Sequence, residues 1–154
     1  MPSRPSLPSS SAFWILCSGY RDAGDSTLEK IHSSGYVGFA VMPCVFLFFR
    51  SIELALKVVL VHHNVSEHEI TRVLGHKISA LLSRVESFTA LSSIGIGSED
   101  KVLLDRFSDD YAYKSFEYSD DWWHNPHLES LQSLAHRVGD AVRFYGRAKP
   151  SDIS

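Results

Sequence analysis

The sequence is poor in several features that would otherwise define a protein. It has two cysteines in 154 residues, Cys17 and Cys44. That excludes a disulfide-built scaffold, and no zinc-finger spacing is present. Each cysteine sits in an apolar context, FWILC and MPCVF, which suits buried free thiols in a reducing compartment such as the cytoplasm. Nothing in their spacing supports a disulfide between them. Positive charge is not in excess either. The formal net charge is −3, so no global basic field advertises nucleic acid or an anionic membrane. Gly95-Ile96-Gly97 lacks the strand-to-helix setting and the lysine of a phosphate-binding loop. There is no nucleophile elbow, no period-two alternation that marks strands, and no internal repeat. The longest uncharged apolar run, 37–49, falls short of the roughly 20 residues that span a bilayer, and Pro43 interrupts it. Lengthening it would bury Arg50, Glu53 and Lys57, so no membrane association is expected. The apolar stretch 12–17 is too short for a signal-peptide core.

What the chain does have is one long greasy segment, 43–63, PCVFLFFRSIELALKVVLVHH. Its full charges, Arg50, Glu53 and Lys57, fall on a single helical stripe at spacings of three and four. Glu53 to Lys57 is the favourable i, i+4 order for an ion pair within one helix. Every other face is apolar, so the spacing predicts a central helix covered on several sides by other helices.

The flanking segments supply them. Residues 1–12 are rich in proline and serine and read as a tail, followed by a single helical domain over 13–147 and a short tail over 148–154. Within the domain, 13–17 is apolar and packs loosely, and 21–34 reads as a short first helix through Leu28 and Ile31. Gly35 and Gly38 turn the chain into the central helix. Asn64 is a break after it, and Ser66 with Glu69 fits a capping box. Gly75 interrupts the following segment. Residues 76–88 then place Ile78, Leu81, Leu82 and Val85 on one face. After a loop at 92–97, a helix opens at Ser98 or Glu99 with acids in its first turn and a shared face of Leu103, Phe107, Asp110 and Tyr111. Asn125-Pro126 reads as the start of a last helix carrying Leu128, Leu131, Ala135, Val138, Val142 and Tyr145, with Gly146 as its stop. The fold class is therefore all-α, a bundle of four main helices plus a small N-terminal one.

Few residue groups look like chemistry. Glu53, Lys57 and, if it lies close, His76 form the one interesting cluster, although a structural ion pair that fixes helix register is the plainer account. His62, His63, Glu67, His68 and Glu69 resemble a metal set by composition, but adjacent histidines point apart and the segment crosses a helix end, so no metal is expected there. Asp120, Asp121, His124 and His127 sit among Trp122, Trp123 and Pro126 and read as a packed corner. Tyr111, Tyr113, Phe116, Tyr118, Trp122 and Trp123 offer base-stacking faces. Between residues 99 and 121, however, eight carboxylates face only Lys101, Arg106 and Lys114, which would repel phosphates, so a core or dimer contact is favoured. No cofactor is expected.

Three segments in order resemble the HEPN superfamily: Ser51-Ile52-Glu53-Leu54-Ala55-Leu56-Lys57, an E-L-x-L-K helix; Gly75-His76-Lys77-Ile78, a G-H-x-[LI] helix start; and the aromatic segment 113–118, YKSFEY. The resemblance covers about 36–145. It implies a four-to-five-helix up-and-down bundle that forms a homodimer, in prokaryotic toxin–antitoxin, defence or stress settings. Many members are metal-independent endoribonucleases whose signature is an arginine and a following histidine with four to six residues between them. The chain departs from that signature. His136-Arg137 is adjacent and reversed, no histidine follows Arg143 or Arg147, Arg72 to His76 is too close and in another segment, and Lys57 to His62 has the wrong cation. What the resemblance then implies is a non-catalytic module that binds RNA, a nucleotide or an antitoxin-like protein partner. The alternative is a divergent endoribonuclease or nucleotide-handling enzyme using Glu53, Lys57 and His76.

Overall fold

A computed structural model describes residues 8–34, 41–112 and 128–147. The readings that rest on the tails at 1–7 and 148–154, on Gly35 and Gly38, and on 113–127 (the YKSFEY segment, the Asp120 to His127 run and Asn125-Pro126) lie outside the described residues. Within them the chain is helical, with α1 at Ser10–Ser34, α2 at Val41–His62, α3 at Ile78–Glu86, α4 at Ser98–Ala112 and α5 at Leu128–Val142. No strand occurs among the described residues.

The greasy segment is the axle. Every residue of α2 from Ser51 to Leu60 is buried, including Glu53 and Lys57. Pro43 falls in the first turn of α2, where its missing N–H has no partner to lose. The helix ends on Asn64, at φ 58°. The N–H of Asn64 returns to the carbonyl of Val61 and that of Val65 to Leu60, both at 3.0 Å, so orphan carbonyls at the helix end are satisfied.

Helix α1 is longer than its apolar pattern suggests. It begins at Ser10, where Ser9 Oγ accepts the Ala12 N–H, and its buried residues are Phe13, Cys17, Gly24, Leu28 and Ile31. The stripe is continuous, but a glycine occupies its middle. A Cβ on Gly24 would stand 2.6 Å from the ring of Phe48, so glycine lets α1 and α2 close together there. The segment over 13–17 is thus the first half of a helix and not a loose flap.

Contacts give the directions. Cys17 meets Ser51 while Gly24 meets Cys44 and Phe48, so α1 and α2 are antiparallel. Trp14 Nε1 donates to the Gly139 carbonyl at 3.2 Å and Gln132 Nε2 to Asp25 at 2.8 Å, so α5 runs antiparallel to α1. Helix α3 buries Ile78, Leu81, Leu82 and Val85, the face its spacing predicts. It is antiparallel to α4, with Ser79 against Ser108 and Glu86 against Lys101.

Helix α4 is rotated slightly from expectation. Its buried residues include Leu104, Phe107, Ser108 and Tyr111, and Leu103 is half-buried. The reason is Ser108, a polar residue in a core position: its Oγ accepts the Ser79 N–H at 3.0 Å and caps α3 from the neighbouring helix. Helix α5 buries Leu128, Leu131, Leu134, Ala135, Val138, Gly139 and Val142. It ends at Val142, ahead of Gly146, which instead packs under Trp14: a Cβ there would lie 2.8 Å from the Trp14 Cβ. The result is an all-α bundle around α2.

Candidate functional site

The site grows from one carboxylate. Glu53 lies mid-α2 with its side chain fully enclosed, and four side chains from three segments converge on it. From its own helix, Arg50 Nη1 donates to Oε1 at 2.7 Å and to Oε2 at 2.9 Å, and Lys57 Nζ donates to Oε1 at 2.6 Å. From α4, the Tyr111 hydroxyl donates to Oε2. From the start of α3, His76 Nδ1 lies 3.1 Å from Oε1.

Local folding explains how each arrives. Arg50, Glu53 and Lys57 share a stripe because they are three and four residues apart in a helix. Tyr111 is held by stacking on Phe49, with ring centroids 5.4 Å apart, and by a tilted contact with Phe46 at 5.7 Å. His76 is delivered by an unusual connection. The Ser66 Oγ accepts the Glu69 N–H at 3.2 Å, half of the expected capping box. The Glu69 carboxylate does not turn back to complete it but pairs with Arg84 on α3 at 2.5 Å. Residues Glu69–Leu74 then wind as a wide π-type turn whose last bond runs from the Gly75 N–H to the Ile70 carbonyl. Gly75 takes φ 56°, a conformation glycine adopts without a Cβ clash, and the chain turns His76 back onto α2.

The electrostatics follow from enclosure. Burial alone would raise the Glu53 pKa, but the hydrogen bond from His76 and the charges of Lys57 and Arg50 outweigh it and hold the carboxyl down at about 2. Burial pulls the Arg50 guanidinium the other way, and adjacent Glu53 more than compensates, so Arg50 stays charged. Burial and the Glu53 charge push the Tyr111 phenol up, which keeps it an O–H donor. The carboxylate is therefore locked ionised near neutral pH and does not trade protons. It anchors the others.

His76 is the outward member. Its side chain is 59% exposed, and Nδ1 also lies 3.2 Å from Arg50 Nη1. A ring nitrogen plays one role at a time, and arginine only donates. Donation from Nδ1 to the ionised carboxylate is the stronger of the two bonds, and it leaves Nε2 on the other side of the ring.

Of the three candidates read from the sequence, Glu53 pairs with both Lys57 and His76, while no direct bond joins Lys57 to His76. Arg50 and Tyr111 join the node beside them. Arg50 was within reach, since it lies on the same stripe. Tyr111 carries no local signal, because it stands 58 positions along the chain from Glu53. The other groups are engaged elsewhere. His62 sits edge-on to Tyr145 at 5.0 Å, and His63 stacks on Phe88 at 4.6 Å. His136 pairs with Asp25, and Arg137 holds both oxygens of Asp100 at 2.8 Å. Arg72 lines a shallow groove with Glu67, His68 and Thr71. Cys17 and Cys44 are free and buried, and burial raises both thiols, Cys44 to about 12. No helix among the described residues is long and apolar enough to cross a membrane. No protein-family model, curated protein or solved structure matches this chain.

Proposed function

We propose that this chain is a HEPN-like bundle that acts, as a cytoplasmic homodimer, as a non-catalytic module binding RNA, a nucleotide or an antitoxin-like protein partner, in a toxin–antitoxin or defence setting. One observation carries the reading. The E-L-x-L-K segment and the G-H-x-[LI] segment, which make the resemblance, touch each other through Glu53 and His76 at 3.1 Å, and the carboxylate at their junction is saturated by donors. A carboxylate held far below neutral pH is an anchor for neighbouring groups and a poor proton shuttle. The arginine that precedes His76 in sequence, Arg72, does not join the node, so the ribonuclease pairing is not assembled from it.

A second reading is favoured by a different observation. His76 is exposed and backed by a buried carboxylate, as a general base is. On that reading the chain is a divergent metal-independent endoribonuclease using Glu53, Lys57 and His76. Purified protein incubated with total RNA separates the two. The module reading expects intact RNA from the wild type and from His76→Ala alike. Cleavage by the wild type that disappears in His76→Ala overturns it. Sedimentation of the pure protein at twice the monomer mass of 17.3 kDa is the expected state; a monomer at working concentration removes the dimer from the proposal.

A further inference from the structure

Charges around Glu53 do not cancel. Arg50 and Lys57 bring two positive charges against one negative, all within 2.9 Å. Among the described residues no other carboxylate lies within ion-pair distance of Arg50, Lys57 or His76. The enclosure is also lopsided. Glu53 and Lys57 face inward, with side chains 0% and 8% exposed, while Arg50 is 25% and His76 59% exposed. The excess positive charge is therefore presented to solvent along the Arg50–His76 edge.

That edge is partly built. The Arg50 hydrogen bonds to Glu53 and His76 run from Nη1, and Tyr111 also stands against the guanidinium, so part of a rigid five-donor fork lies outside the Glu53 and His76 contacts. The guanidinium carbon lies 5.9 Å from the Tyr20 ring centroid, which steadies the plane. The Glu53 carboxylate holds His76 from behind, so the outer nitrogen has a fixed direction. At the N-terminus of α3, which follows His76, the Ser79 N–H is already given to Ser108.

We propose that the Arg50–His76 edge is an anion site for a phosphate group, free or carried on a nucleotide, an assignment that deepens the module reading above and rests on it. The chemistry favours phosphate over carboxylate. A neutral His76 with Nδ1–H turned inward offers a lone pair outward, and a carboxylate has no hydrogen to give it. A phosphate near its second pKa of about 6 carries both a P–OH donor for His76 and charged oxygens for the Arg50 fork. When His76 is protonated, both residues donate and the dianion fits. Carboxylate fits in one state of the histidine only. The net −3 of the whole chain makes this local excess the more selective, because surrounding charge does not draw anions indiscriminately.

The test is calorimetric titration of the full chain with inorganic phosphate and, separately, with adenosine monophosphate. Saturable binding is expected for both, with phosphate competing for the nucleotide. Arg50→Gln weakens either by at least about tenfold, the loss of one charge-assisted fork contact. Because Arg50 also touches Glu53, each variant is checked for a native helical spectrum. His76→Gln, at an exposed side chain, serves as the second variant and is expected to weaken binding several-fold. Lys101→Gln, which removes an exposed Glu86 partner on α4, leaves it unchanged. Absence of binding to either probe overturns the proposal, as does binding untouched in Arg50→Gln and His76→Gln, or nucleotide binding that phosphate does not compete. Should the protein retain RNA while binding neither probe, the phosphate assignment falls and the module reading stands. Cleavage of RNA brings down the module reading, whatever the titrations give.

Discussion

Two sets of charges tie helices together in this molecule, and they differ in nearly everything but composition. Around Glu53, four donors meet one enclosed carboxylate and join α2 to α4 and to the start of α3. Along the seam between α1 and α5, Arg21 pairs with Asp140 at 3.2 Å, Asp25 with Gln132 and His136 at 2.8 Å each, and His32 with Glu129 at 3.1 Å. The seam has more carboxylates and spans a longer stretch of helix. Yet it is more open: the carboxylates of Asp140, Glu129 and Asp25 are 76%, 62% and 31% exposed, against 0% for Glu53. Water screens the seam and solvates its members when they part. The node has no such refuge, so each of its groups depends on the others.

The largest effect should come from removing the buried charge. Glu53→Gln leaves Arg50 and Lys57 without their counter-ion, and a loss of about 3–5 kcal/mol in urea unfolding is expected. A change below 1 kcal/mol would mean that the node is wet and no different from the seam.

Acid comes next. The Glu53 carboxyl is held at about 2, below its ordinary value of 4.5, so the folded state binds its proton less readily than the unfolded chain. The stability this contributes is present above pH 4.5 and is lost as pH falls toward 2. The gap corresponds to about 3 kcal/mol. Denaturant midpoints measured from pH 6 down to pH 2 should fall in that window, and Glu53→Gln should flatten the part of the slope due to this residue.

Two glycines in α1 sharpen the contrast between packed and open surface. Gly24→Ala drives a methyl into the Phe48 ring at 2.6 Å, whereas a Cβ on Gly19 meets nothing within 4 Å. Overpacking typically costs about 1–3 kcal/mol, partly offset by better helix propensity. Gly24→Ala should therefore lower the thermal midpoint by a net of about 1 kcal/mol of stability, and Gly19→Ala should raise it by up to about 1 kcal/mol. Two shifts of the same sign would contradict the α1–α2 packing.

The smallest effect belongs to the seam. Asp25→Asn, next in sequence to Gly24, weakens the His136 pair while keeping the Gln132 hydrogen bond, and should change unfolding free energy by less than about 1 kcal/mol. A loss as large as that of Glu53→Gln would show that the seam is part of the core.

How much of this was legible in the sequence follows from how local each cause is. Helix α2 was readable because apolar residues surround it on almost every face, a pattern only a covered helix tolerates. The face of α3 was readable because Ile78, Leu81, Leu82 and Val85 keep strict helical spacing. The Glu53–Lys57 pair was readable because four residues separate them. Helix α1 was underestimated because its core stripe passes through Gly24, which no hydrophobicity count marks as buried. The buried face of α4 is not fully legible because Ser108 fills a core position, where it accepts a hydrogen bond from the Ser79 N–H of α3. Arg50 is legible as a member of the charged stripe, and only its bonds to Glu53 and His76 place it in the node.

By itself, then, the order of residues determined an all-helical chain, its buried rod and the acid–base couple within that rod, since these depend on spacings of three and four along one helix. Only the folded arrangement decided that Tyr111 and His76 complete the couple, that Gly24 marks a crossing, and that Arg50 and His76 form the open side of a closed charge. Those facts depend on which distant segments pack together, and the energy that selects them comes from shape and enclosure, which no local pattern encodes.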